Sequence, residues 1–317
     1  MLLAGIMAIQ SQFKKQLKNR FSDRVRFDEP MTDHTTFRVG GPADVFVTVT
    51  EERDLTCLIR WLKENDLPFL IIGGGTNLLV KDQGIRGVVI TMAKELTKIS
   101  PYGPTILSAM AGASLNALCR FAITHGLSGL NFALGIPGTV GGAIRMNAGA
   151  WKADMSDVLD SIRIITPDGQ IESVDKTALR FSYRTLSFAE QNSSDLSSPV
   201  ILEGRFLLSH QHPESLKEEA DALLKSRKKS QPTGFASAGC FFKNPDNEES
   251  AGKLIDLAGG KSLRVGGAAV STKHANFIVN RGRASAEDII RLMNIVQEAV
   301  FKKFNIMLEP EVEIVGD

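Results

Sequence analysis

The stretch Gly135-Ile136-Pro137-Gly138-Thr139-Val140-Gly141-Gly142, which continues as AIRMNAGA to residue 150, decides how this sequence is interpreted. Its first eight residues contain four glycines, one proline and no charged side chain. A solvated loop rarely has this composition, whereas a backbone that lies against a large flat ligand or a diphosphate requires it. The stretch favours a ligand-binding loop, and the alternative is a buried structural turn.

An earlier glycine loop, Gly73-Gly74-Gly75-Thr76-Asn77-Leu78, follows an apolar strand predicted at residues 68–73. In chain order it is the first glycine loop, and residues 135–142 form the second. Successive N–H groups in such a turn can form a concave anion site. The loop is not a Walker loop, because no Gly-Lys-Ser/Thr follows, and Leu78 stands where the Rossmann fingerprint has its third glycine. Alone it is equally compatible with a tight surface turn. Two such loops on one scaffold indicate a dinucleotide that is bound without a Rossmann fingerprint.

Short strands and helices alternate from about residue 31 to residue 209. Apolar periodicity predicts a strand at 43–49 and a helix at 51–66, and SIRIITPDGQIESV predicts a hairpin that turns at Asp168-Gly169. A polar segment at 191–199 predicts a surface loop. From about residue 213 the pattern changes to a basic helix, short strands, a long amphipathic helix from Ala284 to about Phe304, and a terminal strand.

The composition is typical of a soluble globular protein, with 317 residues, 23% charged residues and a net charge of +1. We expect neither nucleic acid nor a membrane as a partner, because the chain has no basic excess and no bilayer-length apolar run. Three widely spaced cysteines, Cys57, Cys119 and Cys240, form neither a disulfide framework nor a zinc motif. We therefore expect reduced thiols, no metal site and a cytoplasmic location.

The N-terminal segment MLLAGIMAIQSQFKKQ resembles the apolar part of a signal peptide but lacks leading positive charge. Its apolar residues recur at helical spacing, at Leu2, Ile6, Ile9, Phe13 and Leu17. We interpret residues 1–30 as a helical extension rather than an export signal.

Several motifs occur in one consistent order from about residue 30 to the end of the chain. They are Asp33-His34-Thr35-Thr36-Phe37-Arg38-Val39-Gly40-Gly41-Pro42-Ala43-Asp44, GGGTNLLV, GIPGTVGGAIRMNAGA, SYR (182–184), GCFFKNP (239–245), STKHANFIVN (271–280) and LEPEVEIVG (308–316). With these motifs the chain resembles the UDP-N-acetylenolpyruvoylglucosamine reductases, or MurB family, in the form that lacks an extra tyrosine-bearing loop. The resemblance implies an α+β fold. A two-part FAD-binding domain of the p-cresol methylhydroxylase type would span 31–212, and a C-terminal α+β substrate-binding domain would span 213–317, with its last strand returning to the FAD domain.

The resemblance also implies an activity, which is the NADPH-dependent reduction of UDP-N-acetylglucosamine enolpyruvate to UDP-N-acetylmuramate in peptidoglycan precursor synthesis. We expect non-covalent FAD, because the glycine loops contain no His or Cys that could tether a flavin. We also expect the protein to be a monomer. The implied cofactor contacts are Gly73, Gly74, Gly75, Thr76, Asn77, Leu78, Gly135, Ile136, Pro137, Gly138, Thr139, Gly141, Gly142, Asn147, Ala148, Gly149 and Arg227.

Three residues match catalytic positions of the family. Arg184 matches the arginine that holds the substrate carboxylate, a group that a guanidinium fork binds bidentately, although an ordinary surface arginine is the alternative. Glu311 matches the glutamate near the intermediate, and only the resemblance selects it over Glu309 and Glu313 on the same strand face. Cys240 lies where most members have a serine proton donor, and its alternative is a small apolar packing residue.

Lys243 and Asn244 match a segment that contacts the UDP diphosphate, with helix or turn capping as the alternative. His274 is either a substrate contact or a structural histidine. Two other functions stay open from the sequence, namely another non-covalent flavoprotein oxidase or dehydrogenase of the same fold and a non-catalytic flavin-binding module. In a non-catalytic module, Arg184, Cys240 and Glu311 would have no reason to converge.

Overall fold

The computed structural model describes residues 9–188, 199–245 and 249–317. Leu2 and Ile6 of the predicted N-terminal helix lie outside these ranges, and so does the loop predicted at 191–199 apart from Pro199. The helices are α1 (Ser11–Phe21), α2 (Glu52–Glu64), α3 (Leu115–Thr124), α4 (Val140–Arg145), α5 (Met155–Val158), α6 (Pro213–Ser230), α7 (Ala251–Leu257) and α8 (Ala286–Phe304). Within the described ranges, no helix combines the length and apolarity needed to cross a membrane.

The strands fall into one four-stranded, one five-stranded, one three-stranded and several two-stranded sheets. They are β1 (Val25–Pro30), β2 (Pro42–Val49), β3 (Phe69–Ile72), β4 (Leu78–Val80), β5 (Ile85–Met92), β6 (Ile99–Pro101), β7 (Ile106–Met110), β8 (Leu127–Ser128), β9 (Gly149–Ala150), β10 (Ala153–Asp154), β11 (Leu159–Ile165), β12 (Ile171–Asp175), β13 (Leu179–Ser182), β14 (Thr185–Phe188), β15 (Val200–Leu207), β16 (Ser209–His210), β17 (Arg264–Val265), β18 (Ala268–Val270), β19 (Ile278–Asn280) and β20 (Glu313–Val315).

The first sheet has the order β1-β2-β5-β3, with β2 and β3 parallel to β5 and β1 antiparallel to β2. The predicted strand at 43–49 and the predicted helix at 51–66 are confirmed as β2 and α2. Helix α2 buries its apolar face on this sheet through Leu55, Leu58, Ile59 and Leu62. The N-terminal segment belongs to the same layer, since Leu17 and Phe21 of α1 pack into this core and β1 extends the sheet.

The second sheet is antiparallel and has the order β12-β11-β15-β7-β6. The predicted hairpin is confirmed, because β11 pairs with β12 across the turn that contains Gly169. Helices α3 and α4 pack against this sheet through Leu118 and Ile144. Helix α6 joins the same core through Ala220, although the domain boundary predicted at residue 213 assigns α6 to the C-terminal domain.

The C-terminal domain is a small β17-β18-β19 sheet covered by α7 and by the predicted long helix, which is α8. Its core also contains Phe37, Val39 and Leu79, which come from the N-terminal part of the chain. The last strand, β20, leaves this domain and pairs in parallel with β4. The two parts of the molecule therefore share both core side chains and a strand pair.

Asp82 makes a further link between the two parts. Its carboxylate accepts hydrogen bonds from the backbone nitrogens of Ala286 at 2.8 Å and Glu287 at 2.9 Å, at the start of α8. N–H groups in the first helical turn have no partner within the helix, and an acidic side chain there also interacts favourably with the helix dipole.

We expect Asp82→Ala to lower the stability of the protein by about 1 kcal/mol, because it leaves these N–H groups to water. Thermal melting should show a drop of roughly 2 °C. Asp256→Ala is the control, since it breaks only an exposed ion pair with Lys261, a kind of pair that contributes little. Equal shifts in the two variants would contradict a capping role for Asp82.

Candidate active site

A cavity of about 1060 Å³ lies where the two glycine loops meet the second sheet and the C-terminal domain. Apolar residues of the two sheets line one end, including Ile72, Met92, Val200 and Ile201. Polar and charged side chains line the other end, where Arg184, Arg227, Cys240 and Glu311 come together. The cavity thus has an apolar end and a reactive end, and the backbone of both glycine loops contributes to its lining.

The two glycine loops are packed against each other. A Cβ on Gly73 would lie 2.3 Å from the Thr139 hydroxyl oxygen, and one on Gly138, whose φ is 124°, would lie 2.9 Å from that of Thr76. The Thr76 hydroxyl donates to the carbonyl of Pro137 at 3.2 Å. These glycines are therefore needed for contact between the loops as well as for contact with a ligand.

The cavity lining contains sixteen of the seventeen predicted cofactor residues, and Asn147 is the exception. The lining passes from Met146 to Ala148 and Gly149 without it. Asn147 is buried, with 3% of its surface exposed, and its side chain hydrogen-bonds to Asp154, Ser156 and Ser182. Its amide thus faces the protein, because the β13–β14 hairpin and the segment before α5 close over it.

The residues present fit FAD. The volume of about 1060 Å³ lies just above the range of ordinary ligand pockets, roughly 300–1,000 Å³, which suits a ligand as large as a dinucleotide. An added Cβ on Gly142 would have no neighbour closer than 3.5 Å, so this glycine leaves free space on the cavity side of its loop. Loop N–H groups can hold a diphosphate, and the apolar end suits an adenine or flavin ring.

Arg184 lies in the two-residue turn between β13 and β14, where Ser182 pairs with Thr185. Its Nε donates to Glu311 Oε1 at 2.9 Å, and its Nη2 donates to the carbonyl oxygen of Gly149 at 3.1 Å. The guanidinium is thus fixed from two sides, and its remaining N–H groups are left for a ligand carboxylate.

Glu311 is mostly buried, with 15% of its side chain exposed, whereas 74% of the Glu309 side chain is exposed. Burial raises the pKa of Glu311, and this effect exceeds the opposing effects of its contact with Arg184 and of the Lys243 charge. The structure thus separates Glu311 from Glu309 by burial. Glu313 also lines the cavity but is exposed.

Cys240 packs beside Ala269, Phe277 and Val279. Burial raises the pKa of its thiol to about 11; the charge of Glu311 adds to the rise, and the charges of Arg184 and Arg227 oppose it. The thiol is therefore protonated at neutral pH. Cys240 combines both sequence interpretations, since it is packed against apolar residues and also lines the cavity.

The predicted substrate residues Lys243, Asn244 and His274 lie outside the cavity lining. The Lys243 ammonium lies 3.5 Å from the Glu309 carboxylate, and Asn244 Oδ1 accepts a hydrogen bond from the backbone nitrogen of Ala251. Burial lowers the pKa of His274, and the Lys261 charge lowers it further. The geometry brings Lys243 and Asn244 to the reactive end but not into it.

Two features of the site were not found from the sequence. The Tyr183 hydroxyl accepts a 3.4 Å hydrogen bond from the backbone of Asn244, and its ring lies 4.9 Å from the Arg184 guanidinium. A second cavity of about 620 Å³, lined in part by His34, Arg38 and Phe235, adjoins the first at the first glycine loop. Tyr183 belongs to the SYR motif, and His34 and Arg38 belong to the DHTTFR motif, so these motifs contain the residues of both features.

Comparison with known proteins gives consistent matches over the chain. The profile of the UDP-N-acetylenolpyruvoylglucosamine reductase C-terminal domain matches residues 231–315, and an FAD binding domain profile matches residues 43–175. The UDP-N-acetylenolpyruvoylglucosamine reductase of Desulfosudis oleivorans is 46% identical over 96% of this chain and 98% of its own length. The chain belongs to the UDP-N-acetylenolpyruvoylglucosamine reductase family. The family resemblance and the enzyme class predicted from the sequence are both confirmed.

Other members of this reductase family support the same assignment. The reductase of Exiguobacterium sibiricum is 42% identical over 93% of this chain and 94% of its own length. The crystal structure of the Thermus caldophilus reductase matches with a TM-score of 0.77 and 36% identity, over 90% of this chain and 97% of that chain. The prediction of an FAD-binding domain followed by a C-terminal α+β domain is confirmed.

The raised pKa of Glu311 has a consequence for stability. Above the ordinary glutamate pKa of about 4.3 and up to the raised value, the folded protein binds more protons than the unfolded chain. The contribution of Glu311 to the free energy of unfolding is therefore largest at low pH and falls as pH rises through that window. Glu311→Gln should remove this slope, so that the melting temperature of the variant rises relative to the parent as pH increases above the ordinary glutamate pKa of about 4.3.

Glu309→Gln is the matched control for Glu311→Gln, because Glu309 lies two residues away and is exposed. Melting curves recorded at several pH values should show no comparable change of slope for this variant. A difference between parent and Glu311→Gln that does not vary with pH would contradict the burial argument.

Proposed function

We propose that this protein reduces UDP-N-acetylglucosamine enolpyruvate to UDP-N-acetylmuramate with NADPH and non-covalent FAD, in the cytoplasm, for peptidoglycan synthesis. Family membership supports the reaction, and the matched FAD binding domain supports the cofactor. The observation that carries the proposal is the convergence of Arg184, Cys240 and Glu311 on one cavity with both glycine loops. These residues come from three separate parts of the chain, which a non-catalytic flavin module would not require.

The chemistry requires a cation at the substrate carboxylate. Bound flavin supplies hydride transfer from NADPH to the substrate, a role that cofactors rather than side chains perform. Reduction of the enol ether moves negative charge into the carboxylate, and fixed donors stabilise charge that develops in a transition state. Arg184 provides such donors, because Glu311 and Gly149 already hold its guanidinium in place.

Glu311 contributes through its protonation state. Burial raises its pKa, so the protein holds a carboxyl group with a tendency to remain neutral beside Arg184. A neutral carboxylic acid can donate a hydrogen bond to an enolate-like oxygen, whereas a carboxylate would repel it. We therefore propose Glu311 as the second group that stabilises the intermediate.

Cys240 is the proposed proton donor. With a pKa of about 11 its thiol keeps its proton at neutral pH, and yet it is a stronger acid than an alcohol. Cys240 lines the same cavity as Arg184 and Glu311. Lys243 and Asn244 remain the proposed contacts of the UDP diphosphate, and His274 remains a proposed substrate contact.

The direct test is a turnover assay with purified protein, NADPH and the enolpyruvyl UDP-sugar. We expect a yellow protein that releases its flavin on denaturation, and flavin that NADPH reduces and the enolpyruvyl substrate reoxidises. A colourless protein, flavin that stays with the precipitated polypeptide, or reduced flavin that the substrate leaves reduced would each contradict the proposal.

Cys240→Ala should divide the reaction into its two halves. NADPH should still bleach the flavin, because that half needs no proton from residue 240. Reoxidation by the enolpyruvyl substrate should fall by roughly 10²-fold or more, the scale of general-acid catalysis. Stopped-flow flavin absorbance measures both rates.

Cys240→Ser serves as the conservative variant, because it keeps a proton donor at the same position. Cys119→Ala is the matched control, since Cys119 is a buried cysteine in a core and is not part of the cavity lining. Reoxidation of Cys240→Ala at the parental rate would show that Cys240 only packs and that the proton comes from another group.

A further inference from the structure

The turn that carries Arg184 is not a self-sufficient structure. The β13–β14 hairpin forms a sheet of its own with two short strands, and isolated hairpins are marginally stable. Arg184 has a φ of 59° in this turn, in the left-handed region, which costs an arginine about 1 kcal/mol or more. Contacts from outside the hairpin must therefore hold the turn in this conformation.

Asn147 supplies such a contact at the base of the turn. Its Nδ2 donates to the carbonyl oxygen of Ser182 at 3.1 Å and to the carboxylate of Asp154 at 3.1 Å. Its Oδ1 accepts from the backbone nitrogen of Ser156 at 3.0 Å. The buried amide thus joins the residue before the turn to the start of α5.

The same segment holds the other end of the arginine. Gly149, two residues after Asn147, accepts the hydrogen bond from Arg184 Nη2. The short segment that follows α4, from Asn147 to Gly149, therefore fixes both the backbone before the turn and the guanidinium at its tip. The orientation of Arg184 towards Glu311 depends on this stretch remaining in place.

We propose that Asn147 is a positioning residue for Arg184 and not a ligand of the cofactor. The inference rests on the role of Arg184 in the proposed function. An amide suits the position chemically, since it donates twice from one nitrogen and accepts at its oxygen. An aspartate there would place a second carboxylate against Asp154 and lose both donors.

The test uses Asn147→Gly, because glycine adopts the φ of 39° found at this position and adds no charge. Reoxidation of the reduced flavin by the enolpyruvyl substrate should slow roughly 10- to 100-fold, the scale of a misplaced catalytic group. The loss should lie in the rate at saturating substrate more than in the half-saturating concentration. Flavin content, the flavin absorbance spectrum and reduction by NADPH should stay within about two-fold of the parent, unlike those of a variant that lost a cofactor ligand.

Asn305→Gly is the matched control, because Asn305 also has a left-handed backbone, with a φ of 56°, at the end of α8. It should leave both half-reactions unchanged. If Asn147→Gly folds poorly, as shown by a large fall in melting temperature, Asn147→Ser keeps a small polar side chain without adding charge and should give the same pattern.

A double-mutant cycle of Asn147→Gly with Arg184→Lys shows whether the effects of the two residues on reoxidation are coupled or independent. If Asn147 acts through the arginine, Asn147→Gly should cause little further loss of reoxidation in an Arg184→Lys background. Multiplied losses, an altered flavin spectrum, or parental reoxidation by Asn147→Gly would each overturn the inference. Reoxidation by Arg184→Lys at the parental rate would instead remove Arg184 from the proposed function. If Asn147→Gly reoxidised slowly while Arg184→Lys reoxidised at the parental rate, the Asn147 amide would act on a group other than Arg184.

Discussion

The parallel pairing of β20 with β4 ties the end of the chain to the first glycine loop. Asn77 makes this junction on both sides, since its carbonyl accepts from the nitrogen of Glu313 at 3.0 Å and its side chain donates to the carbonyl of Glu311 at 2.9 Å. Parallel strands need a long crossover connection, and here the crossover contains the second sheet and the C-terminal domain. Glu311 consequently reaches Arg184 only when the whole chain has folded.

The glycine loops impose a second constraint on the same region. Because Gly73 faces Thr139 and Gly138 faces Thr76, a side chain at either glycine would separate the loops. Helix α6 closes over the second loop, where a Cβ on Gly135 would lie 3.1 Å from Arg227 Cδ. The composition of these loops thus reflects backbone packed against backbone and helix, in addition to any ligand. That is why one loop in isolation was an ambiguous signal.

Sequence patterns predicted the elements that local periodicity determines. Helices α2 and α8 and the β11–β12 hairpin follow from apolar spacing and a turn dipeptide. The β13–β14 hairpin was not predicted, because its turn is Tyr183-Arg184 rather than a glycine or asparagine pair, and tertiary contacts stabilise it. The packing of α6 against α3 was not predicted either, since amphipathicity shows which face is buried but not which neighbour covers it.

The predicted site residues depended on motif resemblance, and the structure adds the physical reasons that spacing could not supply. Strand alternation predicted Glu309, Glu311 and Glu313 on one strand face, but β20 begins only at Glu313. Burial and the contact with Arg184 distinguish Glu311 from Glu309. The resemblance assigned Asn147 to the cofactor, and its sequence neighbours Met146 and Ala148 do line the cavity. The direction of its side chain depends on a left-handed backbone that sequence spacing does not reveal.

The protonation of Glu311 in the Arg184–Glu311 pair would differ with and without bound substrate. In this structure Glu311 accepts one hydrogen bond from the Arg184 guanidinium, while burial favours the neutral form of Glu311. Under the proposed function, a substrate carboxylate binds the same guanidinium and brings a second negative charge close to Glu311. Like charges at short distance raise a carboxyl pKa, so substrate binding itself would drive Glu311 further towards the protonated form. The hydrogen-bond donor that an enolate-like oxygen needs would then be more fully populated when the substrate carboxylate occupies the site.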